Sequence, residues 1–291
     1  MLSKFDIEKE LGKGISIIQF KPENIKENSI NLSASEYAWC MSNYEFDEEY
    51  IDDNKEQIKL INGEKCVFNI NGKKTIVIPP YSTVLVETKE VLGIDGRIGG
   101  TYHSKVGIVS LGIGHIGTML GPGFCGHSLI AIHNVSKERI ELRVGETFVS
   151  VVFNYLETKI NTNNQTKSGH IEKFGELGIN ISREDREFIC SDWKCNLESI
   201  IEKMEYDQNF IEFKENLKKR KLKNFRSLIN KRNIIATVIL IIVICIIYIL
   251  ASIMDKGRKE PVWVGLYCSV LISVIIIPFT SWMIKKLYNI S

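Results

Sequence analysis

The 291-residue chain balances 37 Lys and Arg against 35 Asp and Glu for a net charge of +2, and 44% of it is hydrophobic, which leaves room for one or two domains. Those averages conceal a partition: almost all the uninterrupted apolar sequence lies after residue 233, with basic residues clustered just before it, so no nucleic-acid partner is expected. The seven cysteines are scattered, Cys190 and Cys195 lack the second pair that zinc would need, and the odd count argues for reduced thiols in a cytoplasmic compartment.

The first residues, MLSKFDIEKELGKG, contain no apolar core of signal-peptide length, so nothing in them is expected to export the first domain. Residues 1–160 read as all-β. KCVFNI, KTIVIPP, STVLVET, SLIAIHN, RIELRV and TFVSVVF are β-branched runs between turn signals, too short for helices and suited to a sandwich or barrel.

About half of the 21 glycines fall between Gly93 and Gly126. Such density implies positive-φ turns and close backbone approach, either to a ligand or between strands. Neither a G-x-x-x-x-G-K-[ST] loop nor a strand-to-helix G-x-G-x-x-G is present. His103, His115, His127 and His133 crowd this region, and His127 and His133 share strand parity. No carboxylate or thiolate pattern completes a metal site around them, so no metal is predicted.

Between Ser29 and Phe153 five segments occur in a familiar order: SINLSAS, IPPYSTVLVETKEVLGI, TYHSKVGI, GPGFCGHSLIAIHN and LRVGETFVSVVF. The stretch resembles the dCTP deaminase and trimeric dUTPase family, whose corresponding elements are S-x-D-L-x-L, T-x-E-x-v-x-l-P, R-S-S-x-x-R-x-G, D-P-G-w-x-G ending in Asn, and p-G-x-x-i-x-x-l-v-F. A further segment, EKFGELGINISR, is similar to the family's K-Y-x-x-Q-x-G tail, which folds over bound nucleotide. The resemblance implies a β-barrel or jelly-roll that assembles as a homotrimer or higher homo-oligomer, with nucleotide sites between subunits. It covers about half the chain.

The departures fall where the chemistry belongs. Deamination in the family needs a glutamate to move protons at the base and the attacking water, and Ala131 stands in its place. Gly121 replaces the aspartate before Pro-Gly, Asn31 replaces the S-x-D-L aspartate, and the phosphate-gripping R-S-S aligns with Gly100, Thr101 and Tyr102. No carboxylate occurs between Gly96 and Lys137, so a slipped alignment restores no acid. No catalytic residue is therefore assigned. The nucleotide-binding candidates are Ser104, Lys105, Gly123, Gly126 and Asn31: a hydroxyl, a cation, two backbone amides and an amide side chain for phosphate and base edge. Against this, Ser104 and Lys105 also suit an ordinary turn. Mg²⁺ is implied only if the ligand is a nucleoside triphosphate.

A domain boundary is expected near residue 181. Ser182 opens a helical pattern in which SRED has the form of a capping box, and Leu197, Ile200, Ile201, Met204, Ile211 and Leu217 follow at helical spacing. This connector, 182–232, either packs on the β-domain or lies on the bilayer, or it couples subunit arrangement to the apolar C-terminal stretches.

Residues 233–291 read as a transmembrane hairpin. Ile234–Met254 and Val262–Ile284 are uncharged, each long enough at 1.5 Å per residue to cross the roughly 30 Å core of a bilayer. Trp263, Tyr267 and Trp282 sit near the ends of the second stretch, and Pro278 within it implies a kink. Lys218, Lys219, Arg220, Lys221, Lys223, Arg226, Lys231 and Arg232 precede the first stretch, and Lys285 and Lys286 follow the second, against three cations in the turn. The bias predicts an inner (plasma) membrane protein with both termini cytoplasmic, its basic run on anionic lipid headgroups.

Together these features predict a mainly β domain, an α-helical connector and two membrane helices. The functional expectation is a membrane-anchored nucleotide sensor or effector with a degenerate deaminase-like domain, an arrangement like that of bacterial antiviral-defence effectors. An active membrane-tethered deaminase or dUTPase and a non-binding trimeric scaffold remain as alternatives.

Overall fold

A computed structural model of the chain describes residues 1–46, 50–114, 117–161, 171–179 and 181–228, with ten scattered positions between Ile242 and Leu266. The β part contains thirteen strands among the described residues, in order β1 (Ile15–Ile18), β2 (Ile30–Cys40), β3 (Tyr44–Glu45), β4 (Lys59–Leu60), β5 (Val67–Ile70), β6 (Lys73–Ile78), β7 (Thr83–Ile94), β8 (Ile98–Ser104), β9 (Ile113–Gly114), β10 (Met119–Leu120), β11 (Cys125–Asn134), β12 (Ile140–Arg143) and β13 (Thr147–Tyr155). The helices are α1 (Lys4–Glu10), α2 (Val106–Val109), α3 (Ile171–Glu176), α4 (Arg183–Ile189), α5 (Leu197–Glu205) and α6 (Gln208–Leu228).

The main sheet runs β10-β8-β13-β2-β7-β11-β9, with β1 added to β7, and a smaller sheet runs β12-β6-β5. Among the described residues the pairings between these strands are antiparallel, most of them between strands that are not consecutive in the chain, with β5 and β6 forming a hairpin. Each of the six predicted runs coincides largely with a strand. Apolar side chains such as Ile30, Leu32, Val84, Val86, Val151 and Phe153 close the interior, each at most 2% exposed.

Two polar devices hold this part of the chain in place. Where β2 bulges against β7 between Ala34 and Ala38, the buried Glu90 carboxylate accepts from the Ser33 amide and hydroxyl, both at 2.8 Å. Burial raises the Glu90 pKa, and the two Ser33 bonds oppose that rise. At the N-terminus, Ser3 and Asp6 form a reciprocal capping box on α1.

The first compact unit runs from Met1 to Glu212 and so contains α3, α4 and α5. Trp39 on β2 meets Phe174 of α3 with ring centroids 4.8 Å apart, in a cluster with Leu85, Ile179 and Ile189. Asn196 caps α5 by accepting from the Glu198 and Ser199 amides, at 2.8 and 3.2 Å. The apolar face of α5 buries Ile200 and Met204 against β1 and β7. Gly93 makes that contact possible, because a Cβ there would stand 2.9 Å from Leu197 Cδ1. At α4 only half of the expected box forms: Ser182 accepts from the Asp185 amide at 3.1 Å, while the Asp185 carboxylate turns to an ion pair with Lys65. The nearby cation outcompetes a backbone amide for that carboxylate.

The second unit, Phe213–Ser291, begins within α6, where Lys218, Lys219, Arg220, Lys221 and Lys223 are exposed. Among the described residues no helix is long and apolar enough to cross a membrane. Of the two uncharged stretches, only seven positions of 234–254 and two of 262–284 are described, and Pro278, Lys231, Arg232, Lys285 and Lys286 lie outside the described residues.

Candidate functional site

The five predicted binding residues fall on three parts of the barrel. Asn31 is buried in β2, its side-chain oxygen accepting from the Ser150 hydroxyl at 2.7 Å. Ser104 ends β8, and the Lys105 ammonium beside it donates to the Thr147 carbonyl at 3.0 Å and to the Thr147 hydroxyl. Gly123 and Gly126 shape the entry to β11 with φ of +78° and +130°, a region open to glycine. The Gly123 amide is already committed to the Ile94 carbonyl at 3.1 Å.

Gly99 lies beside Leu120 and Pro122, so the Gly123 turn sits at the start of β8 while Ser104 and Lys105 sit at its end. Five residues of strand separate them, about 16 Å at ~3.3 Å per residue. One chain therefore does not bring the five together, and a phosphate held by Lys105 would not touch the Gly123 turn of the same chain.

The aligned substitutions have structural reasons. Gly100 pairs with Phe153, and a Cβ at that position would lie 2.6 Å from the Val152 carbonyl oxygen, so a long side chain there would need the strands to shift. Tyr102 is buried and its hydroxyl meets that of Ser128 at 2.6 Å across the barrel. Beside that pair opens a cleft of about 290 Å³, lined by Tyr102, Leu120, Gly121, Phe124, Ser128 and Leu129 among others. Its polar side chains are a few hydroxyls, with no carboxylate among them.

Ala131 faces away from that interior. With Leu129 it packs on the cluster of Trp39, Leu85, Phe174, Ile179 and Ile189, so apolar side chains from the chain's own α3 and α4 fill the space above it.

The same face carries a buried ionisable group that sequence reasoning missed. Glu87 pairs with Leu129 across β7 and β11, two steps from the Leu85–Ala131 pair, and neither of its carboxyl oxygens has a hydrogen-bond partner. Complete burial pushes its pKa up to about 8, against the pull of Lys194. His127 lies nearby, its Nδ1 bonded to the Thr88 carbonyl at 2.9 Å and its Nε2 without a partner. Burial, assisted by Lys194, holds His127 down to about 3. Lys194 is itself lowered to about 8 by burial, with Glu87 opposing.

Phe188 closes this cluster: its ring stacks on Tyr37 at 3.9 Å and on His127 at 4.6 Å, and Lys194 Nζ stands 3.9 Å from its centroid.

The sequence profile of the family described as dCTP deaminase-like matches residues 1–156. The chain belongs to the dCTP deaminase-like family. It is 33% identical over 99 residues to a dCTP deaminase of Pyrococcus horikoshii, a match spanning 34% of this chain and 59% of that one. With a dCTP deaminase of Ignicoccus hospitalis it shares 26% over 185 residues, covering 63% of this chain and 97% of that one. The crystal structure of the 2'-deoxycytidine 5'-triphosphate deaminase from Agrobacterium tumefaciens aligns over 55% of this chain and 49% of that one, with 14% identity and a TM-score of 0.38.

This member of the dCTP deaminase-like family has no acid at Ala131 or Gly121. Glu87 escaped the sequence reading because it shares parity with the exposed Lys89, which marks that side of β7 as the wet one. The signal that could have found it was an acid inside the apolar run TVLVET. Among the described residues no group of three His, Cys, Asp or Glu is placed to hold a metal ion, and His115 lies outside them. With no carboxylate between Gly96 and Lys137, that stretch offers Mg²⁺ no anionic side-chain oxygen.

Proposed function

We propose that the chain is a membrane-anchored, cytoplasmic nucleotide-binding sensor or effector whose deaminase-like domain has given up its chemistry. The observation that carries this reading is Ala131 under Phe174, Ile179 and Ile189: the position of the expected proton carrier is a methyl group in an apolar cluster. Loss of a positioned acid–base group costs about 10²–10⁴-fold in rate. Ser104 and Lys105 retain a hydroxyl and a cation for a phosphate, Asn31 lies at the same end of β8, in line with Ser150 and His103, and Gly123 and Gly126 complete the set when a second copy supplies the opposite end of β8. That arrangement requires a homotrimer or higher homo-oligomer. A nucleoside triphosphate would bring Mg²⁺ with it.

The output is assigned to the hairpin of residues 233–291, in the inner membrane with both termini cytoplasmic and the basic run on anionic headgroups. Its two uncharged stretches contain no Asp, Glu, Lys, Arg or His for an ion relay, so the signal passes through helix arrangement. A sensor domain joined to a short membrane unit matches the architecture of antiviral-defence effectors, an analogy of layout alone.

One observation favours a second reading, an active membrane-tethered deaminase or dUTPase. Glu87 lies on the same face as Ala131, two cross-strand pairs away, with a pKa raised to about 8, near that of a working acid–base group. Incubation of the full chain with dCTP or dUTP and Mg²⁺, followed by product analysis, separates the two. The sensor reading expects unchanged nucleotide, and sustained turnover lost in Glu87→Gln would replace it with the enzyme reading.

A further inference from the structure

Phe188, in the last turn of α4, is a ring held between two others. Tyr37 of β2 lies almost parallel to it, with centroids 3.9 Å apart and planes at 10°, and His127 of β11 does so at 4.6 Å and 23°. Two rings that close on a third in near-parallel planes cannot share one of its faces, so Tyr37 and His127 cover the two sides of Phe188. They form a slot one aromatic ring thick. Lys65 Nζ stands 4.7 Å from the Tyr37 centroid and Lys194 Nζ 3.9 Å from that of Phe188, so cations flank the column.

Phe188 fills the slot but leaves its polar wall unsatisfied. His127 is 1% exposed, and its Nδ1, facing the Thr88 carbonyl at 2.9 Å, must carry the ring proton. Burial keeps the imidazole neutral, so Nε2 is a bare acceptor, and it is buried without a donor. Glu87, opposite Leu129 and so a diagonal neighbour of His127 on the same face, has two further oxygens without partners. A phenyl edge offers these atoms nothing but C–H. The occupant is also weakly tethered: α4 has seven residues, too few to persist alone, and is tied down by the Lys65–Asp185 ion pair and by its apolar contacts. Opening it locally costs far less than opening the barrel beneath.

We propose that the slot between Tyr37 and His127 binds a planar heteroaromatic ring with hydrogen-bond donors on its edge, an amino-bearing nucleobase or its like, and that Phe188 is the internal plug of that site. The ligand ring replaces Phe188 between the same two platforms, which suit any flat π-system. Its edge donates to His127 Nε2 and reaches toward the Glu87 carboxyl, and α4 moves aside with Phe188. The slot is built within one chain and includes α4, which lies beyond the residues 1–156 that match the family. It sits on β11, four strands along the sheet from β8, which ends beside Lys105, and it needs no phosphate.

The test is titration of the full chain in detergent micelles with adenosine and cytidine, followed by calorimetry and hydrogen exchange. Neither probe carries a phosphate for Lys105, so the outcome is read apart from the function proposed above. The native chain should bind a nucleoside, with exchange speeding up in residues 182–196 and slowing in 125–131. Phe188→Ala, or the milder Phe188→Leu, should bind at least about tenfold more tightly, because no plug competes. Adding Tyr37→Leu to either variant should reverse that gain. Circular dichroism checks the fold of each, and toluene serves as a ring without donors. No nucleoside binding by the native chain or by folded Phe188 variants would overturn the proposal. So would toluene binding as tightly as the nucleosides, affinity indifferent to Tyr37→Leu, or exchange in 182–196 unchanged by ligand.

Discussion

Glu87 stands directly opposite Leu129 on the β7–β11 ladder, two pairs from Ala131 and on the same face, with its carboxyl wholly buried and without a hydrogen-bond partner. Where the family pattern implies an acid on β11, this chain has an alanine, and a neighbouring strand supplies a carboxyl beneath the chain's own helices. Burying a polar group without a partner costs about 1–3 kcal/mol, so the site is a local weakness in an otherwise well-packed face.

That weakness has a pH signature. The folded state raises the Glu87 pKa from 4.5 to about 8, so it favours the neutral carboxyl. The contribution is fully present below pH 4.5 and is lost as pH rises through about 8, amounting to on the order of 4 kcal/mol. Glu87→Gln, which keeps the shape without the ionisation, should unfold at higher denaturant than the native chain at pH 8.5 and lose that advantage at pH 5. Equal differences at both pH values would refute the assignment.

His127 acts in the opposite direction. Its folded pKa of about 3 lies below the ordinary 6.5, so its contribution is present above 6.5 and falls away as pH drops toward 3. Replacing it by Gln should flatten the acid limb of the stability curve measured by urea titration between pH 6.5 and 4.

Restoring an acid at the expected place should not restore activity. Ala131→Glu puts a carboxyl among Trp39, Phe174 and Ile189, at a cost of about 1–3 kcal/mol. The variant should lose stability by that amount in urea unfolding and still leave dCTP and dUTP unchanged.

Phe188→Ala removes the ring between Tyr37 and His127 and the aromatic surface beneath Lys194. A loss of about 2 kcal/mol is expected for this half-buried ring. Hydrogen exchange should accelerate in residues 182–196 first, with the β7–β11 amides little changed.

For the hairpin, the full chain should stay with membranes through alkaline carbonate extraction. A chain ending at residue 232 should be released, since the basic run alone supplies only about 1 kcal/mol per cation at the headgroups. Retention of the shortened chain in carbonate would contradict the assignment.

Much of the barrel could be read from local pattern. KTIVIPP and TFVSVVF became β6 and β13 because β-branched runs between turns have few other ways to bury their side chains. IGGTYHS gave no such signal, and β8 owes its glycines to neighbouring strands: a Cβ on Gly100 would meet the Val152 carbonyl. The amphipathic spacing of α5 was visible, yet its partner Gly93 lies more than a hundred residues earlier. The site was legible in what it lacks, at Ala131 and Gly121. Glu87 and Lys194 were not, because their meeting depends on a tertiary cover that no local period encodes.

The most direct test of the central claim is calorimetric titration of the full chain with nucleoside and deoxynucleoside triphosphates in the presence of Mg²⁺, with the cell contents analysed afterwards. The account predicts saturable heat for at least one nucleotide, weakened by Lys105→Ala, and recovery of that nucleotide unchanged. Absence of heat across the panel, or conversion of the ligand, would contradict it.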